Sequence, residues 1–123
     1  MNDCLFCKIV NKEINAEIVY EDQETLAILD VHPRAPGHTM VLSKVHAENI
    51  LDLPEEKIGP VFLAVKKVTG LLKEKHRPDG FTIGINQGRA SGQAVDHLHI
   101  HIIPRWHDDK GGSIHSVVNN PGR

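Results

Sequence analysis

The stretch His97-Leu98-His99-Ile100-His101-Ile102-Ile103 alternates histidine with aliphatic residues. Strict alternation over this length is the period of a β-strand that is buried on one face. A strand places the three imidazoles in a row, whereas a helix would scatter them, because residues two apart do not share a helical face. Pro104 lacks a backbone donor, so we expect it to end the strand or to set it near a sheet edge.

The remaining segments predict an α+β domain with an antiparallel sheet. Runs of β-forming residues at 18–21 and 25–29 are joined by a polar pair and indicate a hairpin, and further strands are expected at 38–43 and 81–86. A short helix is expected within 4–14 and a long one between Pro54 and Lys75. Because an interior proline disrupts a helix, we expect a turn at 54–57 and a helix whose first residue is Pro60. Strands linked by turns, with helices grouped elsewhere, favour this class over a doubly wound sheet.

Length and composition predict one domain. The chain has 123 residues, of which 40% are hydrophobic, which suffices for one core. We expect a single domain, 1–123, with a core at 4–105 and a tail at 106–123 that is either an extended arm or poorly ordered. The net charge of −2 comes from intermixed acids and bases, so no nucleic-acid arm or membrane patch is expected. Without a signal segment or a membrane span, we expect a cytoplasmic protein.

The only two cysteines, Cys4 and Cys7, are separated by two residues. Such close spacing suits a metal or redox pair better than a structural disulfide. Zinc prefers four tetrahedral nitrogen or sulfur ligands, so a pair alone is insufficient. The competing interpretation is a pair of reduced, buried thiols without a metal.

The histidine row has the chemistry of an active site. A neutral imidazole with one nitrogen bonded to an acceptor presents the other as a nucleophile. His99 lies between His97 and His101, each about 7 Å away along a strand. The preceding loop offers backbone N–H groups that can cradle a phosphate, although its glycines also fit an ordinary hairpin connection. Gly92 permits close backbone approach, and the amides of Asn86 and Gln93 can donate to phosphate oxygens.

These residues resemble the signature of the histidine triad (HIT) superfamily, in which histidine alternates with apolar residues. The resemblance extends from the segment Cys4 to Val10, through Leu29-Asp30 and Pro36-Gly37-His38, to Gly92-Gln93, and covers about residues 4 to 105. It implies a HIT-like fold, with a five-stranded antiparallel sheet, one long helix and one short N-terminal helix.

The resemblance also implies residue roles. His99 would attack the α-phosphorus of a nucleotide to give a covalent nucleotidyl-histidine, with His97 and His101 orienting it and His38 beside the phosphate. The implied nucleotide-binding residues are Phe6, Ile9, Asp30, Asn86, Gly92, Gln93, His99 and His101. Among these, Phe6 and Ile9 would line the base pocket, and Asp30 would accept from the ribose hydroxyls. No catalytic metal is implied.

Two positions bear on the branch of the family. The third triad position is His101 rather than glutamine, which resembles the hydrolases and not the uridylyltransferases. Ala94 stands where many relatives carry a hydroxyl near the leaving group. We favour hydrolysis of purine nucleoside phosphoramidates, such as AMP or GMP conjugates, over hydrolysis of dinucleoside polyphosphates. Two other hypotheses are a purine nucleotide-binding regulatory module with little turnover and a catalytic metal bound by all three triad histidines.

The resemblance implies a structural zinc site and a homodimer. The zinc ligands would be Cys4, Cys7, His46 and His97, as in a subset of the family. The long helix and the strand Phe81 to Asn86 would lie at the two-fold axis, with the tail reaching the partner's pocket. The four histidines His32, His76, His107 and His115 are expected at the surface.

Overall fold

The structure, a computed structural model, describes residues 3 to 122. One antiparallel sheet is formed by β1 (Ile18–Glu21), β2 (Thr25–Leu29), β3 (Thr39–Ser43), β4 (Gly80–Gly84) and β5 (His99–Arg105), in the order β1-β2-β3-β5-β4. The helices are α1 (Leu5–Val10) and α2 (Glu55–His76). The predicted α+β class is confirmed, with five antiparallel strands, one long helix and one short N-terminal helix.

The two faces of the sheet pack against different helices. On one face, Leu98, Ile100 and Ile102 are buried together with the inner residues of α2. On the other face, Phe6 and Ile9 of α1 pack over alternate residues of β2 and β3. Because neighbouring strand residues point to opposite faces, the histidines of β5 project on the α1 side. The aliphatic residues between them anchor the strand to the core.

Helix α2 runs through Pro60, so the prediction that the helix starts there is wrong. The Lys57 N–H donates to the Pro54 carbonyl, so the helix has already begun before the proline. At this position, near the N-terminal end of the helix, the proline removes one backbone hydrogen bond, the one to the Glu56 carbonyl. Gly59 has no Cβ to clash with the proline ring, which lowers the steric cost further.

Pro104 lies inside β5, opposite Phe81 of β4. The expectation of a nearby edge is therefore correct, and that of a strand end is wrong. Pairing with β3 stops at Ile102. The Arg105 carbonyl accepts from the N–H of Asp79, the residue before β4, so the backbone groups of Arg105 face β4. Backbone groups of adjacent residues in a strand point to opposite sides. The ring nitrogen of Pro104 consequently faces the side where β3 has already ended, and no ladder bond is lost.

The segment after β5 is tied to the sheet by one arginine. The Arg105 guanidinium binds both carboxylate oxygens of Asp109, at 2.7 and 3.0 Å, as well as the Thr82 hydroxyl and the Gly112 carbonyl. A single 3₁₀ turn, Ile114–Ser116, follows. The division into a core at 4–105 and a tail at 106–123 stays a prediction, and residues 1, 2 and 123 of that domain lie outside the described residues. Between residues 3 and 122, the helices are too short or too polar to span a bilayer.

Candidate active site

His99 is held in one tautomer by the backbone. Its Nδ1 lies 2.7 Å from the carbonyl oxygen of His97, and because a carbonyl only accepts, Nδ1 carries the proton. In the neutral ring the Nε2 atom therefore keeps its lone pair. The ring is 8% exposed, and the Phe6 ring packs edge-on against it at 5.1 Å. The geometry presents one nitrogen as a nucleophile, and the role of His99 stays a prediction.

His38 and His101 form a chain of hydrogen bonds with a fixed direction. The Arg34 backbone N–H donates to Nδ1 of His38 at 3.0 Å, so neutral His38 carries its proton on Nε2. That Nε2 lies 2.9 Å from Nδ1 of His101. His101 accepts there and keeps its own proton on Nε2. This ring is therefore a donor, and it packs against His99 with ring centres 5.1 Å apart.

Both of these rings are neutral near pH 7. Burial, followed by the neighbouring His99 and His38, lowers the pKa of His101 to about 4 against the opposing effect of Asp30. Burial also lowers the pKa of His38. Neutral rings are what the fixed tautomers require, because a doubly protonated His38 could not accept from Arg34.

The loop before β5 is shaped by its glycines and by Gln93. Gly88 and Gly92 have φ angles of 86° and 100°, which side chains disfavour. A Cβ on Gly92 would lie 4.0 Å from the Asn86 amide nitrogen, so these two predicted phosphate-binding residues are neighbours. The Gln93 amide accepts from the Gly88 N–H and donates to the carbonyls of Glu48 and Val95. Its polar atoms thus hold the loop together, and direct contacts of Asn86 and Gln93 with a phosphate stay predictions.

The Asp30 carboxylate, for which a ribose contact was predicted, lies beside the imidazoles of His38 and His101. One carboxylate oxygen is 3.4 Å from Nε2 of His38 and 3.8 Å from Nδ1 of His101, and the other accepts from the His32 N–H. A cavity of about 410 Å³ is lined by Asp30, His38 and the intervening loop. The predicted base-pocket residues Phe6 and Ile9 are buried on the same face of the sheet.

The two cysteines and two histidines predicted to bind zinc converge. Cys4 Sγ lies 3.3 Å from Nδ1 of His97, and Cys7 Sγ lies 3.2 Å from Nδ1 of His46 and 3.5 Å from that of His97. The Ala47 carbonyl accepts from the Leu98 N–H, which brings His46 beside His97 although the two are 51 positions apart in the sequence. All four ligand atoms lie within 4.8 Å of one another.

This thiol–imidazole cluster, Cys4, Cys7, His46 and His97, fits a tetrahedral zinc ion. Bonds of about 2.3 Å to sulfur and about 2.1 Å to nitrogen place such ligands about 3.5 Å apart. Nε2 of His97 donates to the Ser43 carbonyl at 2.7 Å, so its Nδ1 lone pair faces the sulfurs. A closed set of four ligands would leave no position for substrate, so the ion would be structural. Without a metal, burial and the hydrogen bond with Cys4 raise the pKa of Cys7 to about 11, which keeps the thiol protonated.

A second group of metal-ligand types, Asp30, His38 and His101, fits a metal poorly. Nε2 of His38 would have to lose its proton to coordinate, while Nδ1 is committed to the Arg34 N–H. Between residues 3 and 122 no metal-competent group unites His97, His99 and His101, because His97 faces the sulfurs instead. The three-histidine metal hypothesis therefore gains no support from the geometry.

A model of the HIT domain matches residues 11–108. The chain belongs to the HIT domain family. An uncharacterized HIT-like protein, MJ0866 of Methanocaldococcus jannaschii, is 47% identical over 106 residues, which cover 86% of this chain and 81% of that protein. Adenylylsulfatase HINT3 of Arabidopsis thaliana is 35% identical over 108 residues, which cover 88% of this chain and 55% of that protein.

Two solved HIT structures bear directly on the site. A hypothetical histidine triad nucleotide-binding protein, ST2152 of Sulfolobus tokodaii, superposes with a TM-score of 0.82 at 42% identity, covering 85% of this chain and 70% of that one. A zinc-bound histidine triad protein of Mycobacterium smegmatis superposes with a TM-score of 0.83 at 36% identity, covering 89% and 79%. The predicted membership of the HIT superfamily is thus confirmed.

Sequence reasoning missed the backbone partners of the rings. The carbonyls of His97 and Ser43 and the Arg34 N–H fix three tautomers, yet every residue has such groups, so no residue type marks them. The compact loop from Asp30 to His38, with its two prolines, was the available signal that a backbone donor could be held there.

Proposed function

We propose that this HIT protein hydrolyses purine nucleotide conjugates at the α-phosphate through a covalent nucleotidyl-His99. One observation carries the proposal: the Nδ1 proton of His99 is held by the His97 carbonyl, so that in the neutral ring Nε2 keeps its lone pair, and the ring lies between those of Phe6 and His101. A nucleophile held in this way needs no deprotonation before it attacks. The family membership and the name of the Arabidopsis relative support a hydrolase.

The reaction proceeds in two displacements. Nε2 of His99 attacks the α-phosphorus, a P–N bond forms, and the bond to the leaving group breaks as that group takes the electron pair and, for an amine, a proton from solvent. Water then attacks the same phosphorus and loses a proton to solvent, and the bond to Nε2 breaks, which releases the nucleotide and restores His99. Negative charge on the phosphoryl oxygens is stabilised by the Nε2–H of His101. Dividing one hard substitution into two easier ones is the gain from covalent catalysis.

The leaving group is an amine in our preferred form of the proposal, as in AMP or GMP phosphoramidates. Ala94 supplies no hydroxyl, and the neutral His38 and His101 are weak acids, so a leaving amine has no strong proton donor among these residues. A polyphosphate leaving group needs no such proton, and dinucleoside polyphosphates are therefore the second candidate. A regulatory module that binds a purine nucleotide with little turnover is the third. The nucleotide-binding name of the Sulfolobus neighbour supports the ligand class in all three.

We propose that the thiol–imidazole cluster binds a structural zinc ion. The ligand separations and the zinc-bound Mycobacterium neighbour support this. Cys4 and Cys7 would hold α1 against the sheet through the ion. Elemental analysis of protein purified without chelator should find about one zinc per chain, and its absence would favour two reduced thiols.

We propose that the chain forms a homodimer through α2 and β4. Leu63 on α2 and Ile83 on β4 are 51% and 46% exposed although apolar, and β4 is an edge strand with free backbone groups. Sedimentation should give a dimer, and Ile83→Lys should shift it towards monomer. Val31 follows β2 and is exposed, so Val31→Lys serves as the control.

The catalytic proposal is tested with His99→Gly and, as a control, His115→Gly in the exposed 3₁₀ turn. Substrates are adenosine phosphoramidate and diadenosine polyphosphate, each assayed with and without EDTA. We expect His99→Gly to bind AMP but not turn over, and we expect the wild-type protein quenched during turnover to carry AMP on His99. A wild-type rate in His99→Gly would falsify the nucleophile, and AMP binding without turnover in the wild type would favour the regulatory module. A larger loss of activity in EDTA than Cys7→Ser causes by removing the structural ion would revive a catalytic metal.

A further inference from the structure

The thiol–imidazole cluster and the candidate nucleophile share two physical connections. Phe6 lies between the cysteines in sequence, and its ring contacts the rings of both His97 and His99, with centres 6.0 and 5.1 Å apart. His97 contacts both sulfurs through its side chain and holds the Nδ1 proton of His99 through its carbonyl. A change in the sulfurs therefore reaches His99 along two short routes.

The sulfurs can also reach one another and the solvent. Cys4 caps α1, with its Sγ accepting the Cys7 N–H at 3.3 Å, and the two Sγ atoms lie within 4.8 Å. Both residues are half-buried, and neither is in a disulfide. Cysteines three apart at the start of a helix can close a disulfide of about 2.05 Å with a small shift of the first turn.

We propose that Cys4 and Cys7 are a reversible oxidation site, whose disulfide dismantles the metal-binding cluster and slows turnover at His99. The Cys4 sulfur loses its proton and attacks a low-molecular-weight disulfide, forming a mixed disulfide and releasing one thiol, while the Cys7 thiol, whose pKa is raised, stays protonated. The other cysteine then attacks the mixed disulfide, forming the Cys4–Cys7 bond and releasing the second thiol. Two electrons pass from the cysteines to the oxidant, and two protons end on the released thiols. If a divalent ion is bound, it leaves, and the protons come from water.

Closure has a defined structural consequence. Each sulfur that turns towards the other leaves an imidazole nitrogen, so His97 loses its two contacts at Nδ1 and His46 loses its one. Phe6 sits inside the four-residue ring of chain that the disulfide closes, so its contact with His99 changes at the same time. The Ser43 carbonyl still holds the far side of His97, so the change is a loosening of the nucleophile and not loss of the fold.

This inference rests on the proposed function for its kinetic consequence but not for its chemistry. The wild-type protein is incubated with glutathione disulfide and then with a dithiol reductant. We expect reagent-accessible thiols to fall from two to none, peptide mapping to join Cys4 to Cys7, and any bound zinc to be released to a chromophoric chelator. We expect kcat/KM to fall about tenfold, because the contacts that orient His97, and through it His99, are lost, and we expect the reductant to restore it.

Cys7→Ser is the matched control, because it keeps one thiol and cannot close the ring. A mixed disulfide can still form on Cys4 in this variant, and the reductant removes it. After oxidant followed by reductant, the activity of the variant should therefore be unchanged. Where this variant fails to fold, peptide mapping of the wild-type protein decides alone. No Cys4–Cys7 linkage at excess oxidant overturns the site, and a full linkage with unchanged kcat/KM overturns the coupling. If the wild-type protein lacks hydrolase activity, a shift of the His99 ring resonances on oxidation tests the coupling instead, and unshifted resonances overturn it.

Discussion

His97 and His101 stand two residues to either side of His99, yet their rings contact different groups. Nδ1 of His97 faces two sulfurs while its Nε2 donates to a carbonyl, and Nδ1 of His101 accepts from His38 while its Nε2 is free to donate. The residue type and the strand face are shared. What differs is the partner of one ring nitrogen, and that partner decides whether the other nitrogen acts as a metal ligand or a hydrogen-bond donor.

The largest effect is expected from removing the donor side of this comparison. His101→Gln should lower kcat by on the order of 10² to 10³-fold, because the developing charge on phosphorus loses a positioned donor. The melting temperature should change little, since the ring is outside both apolar clusters. Steady-state kinetics and thermal melts of the variant check this, and a kcat within threefold of wild type would remove His101 from the site.

The mirror-image result is expected on the sulfur side. His46→Gln removes an exposed imidazole that is a proposed zinc ligand and whose ring packs against that of His97. We expect the free energy of unfolding in zinc-containing buffer to fall by about 3 kcal/mol, since metal binding is folding free energy where ligands come from distant segments. The kcat should fall less than tenfold. Equal denaturant midpoints for the wild-type protein and His46→Gln, with zinc and with chelator, would erase the difference between the two sites.

A third measurement sharpens the comparison through pH. The His101 ring titrates at about 4 in the folded chain and near its ordinary value of 6.5 in the unfolded chain. The unfolded state therefore binds the extra proton first, and stability present above pH 6.5 is lost as the pH falls towards 4. The loss assigned to this ring is at most about 3 kcal/mol. Denaturant midpoints across that range should fall less steeply in His101→Gln, whereas the exposed His107→Gln should follow the wild type.

The smallest effect is expected from the carboxylate beside the rings. Asp30 raises the pKa of His38 and of His101, against the larger effect of burial. Asp30→Asn should therefore lower both values further, by a few tenths of a pH unit for a partly solvated charge. Histidine resonances followed by NMR through an acid titration check the direction. An upward shift of the His38 or His101 pKa would contradict the effect assigned to the Asp30 carboxylate.

The sequence was sufficient for the sheet because the fold depends on side-chain patterns. The alternation around His99 and the β-rich runs before it specified five strands and the faces they bury. It was insufficient at the two prolines, since a proline's cost depends on which backbone group it removes. At Pro60 the missing donor is near a helix end, and at Pro104 it faces a side without a neighbouring strand.

The sequence was enough to name candidate site residues but not to give the position of the proton on each ring. The spacing of the triad and its resemblance to the HIT superfamily are enough to group His38 with the three triad histidines. The direction of the proton in each ring follows from carbonyls and an N–H supplied by the backbone, which only the folded chain positions. Long-range placement of His46 against Cys7 likewise depends on the segment after β3 crossing beside Leu98.

Pro104 has one more consequence, for the hydration of the strand that carries the histidines. Beyond Ile102 the flank of β5 has no neighbouring strand, yet the proline side chain is fully buried. Because its ring nitrogen carries no hydrogen, this buried flank holds no N–H at Pro104 that would need a partner. The strand can therefore be covered at this point without a further strand beside it.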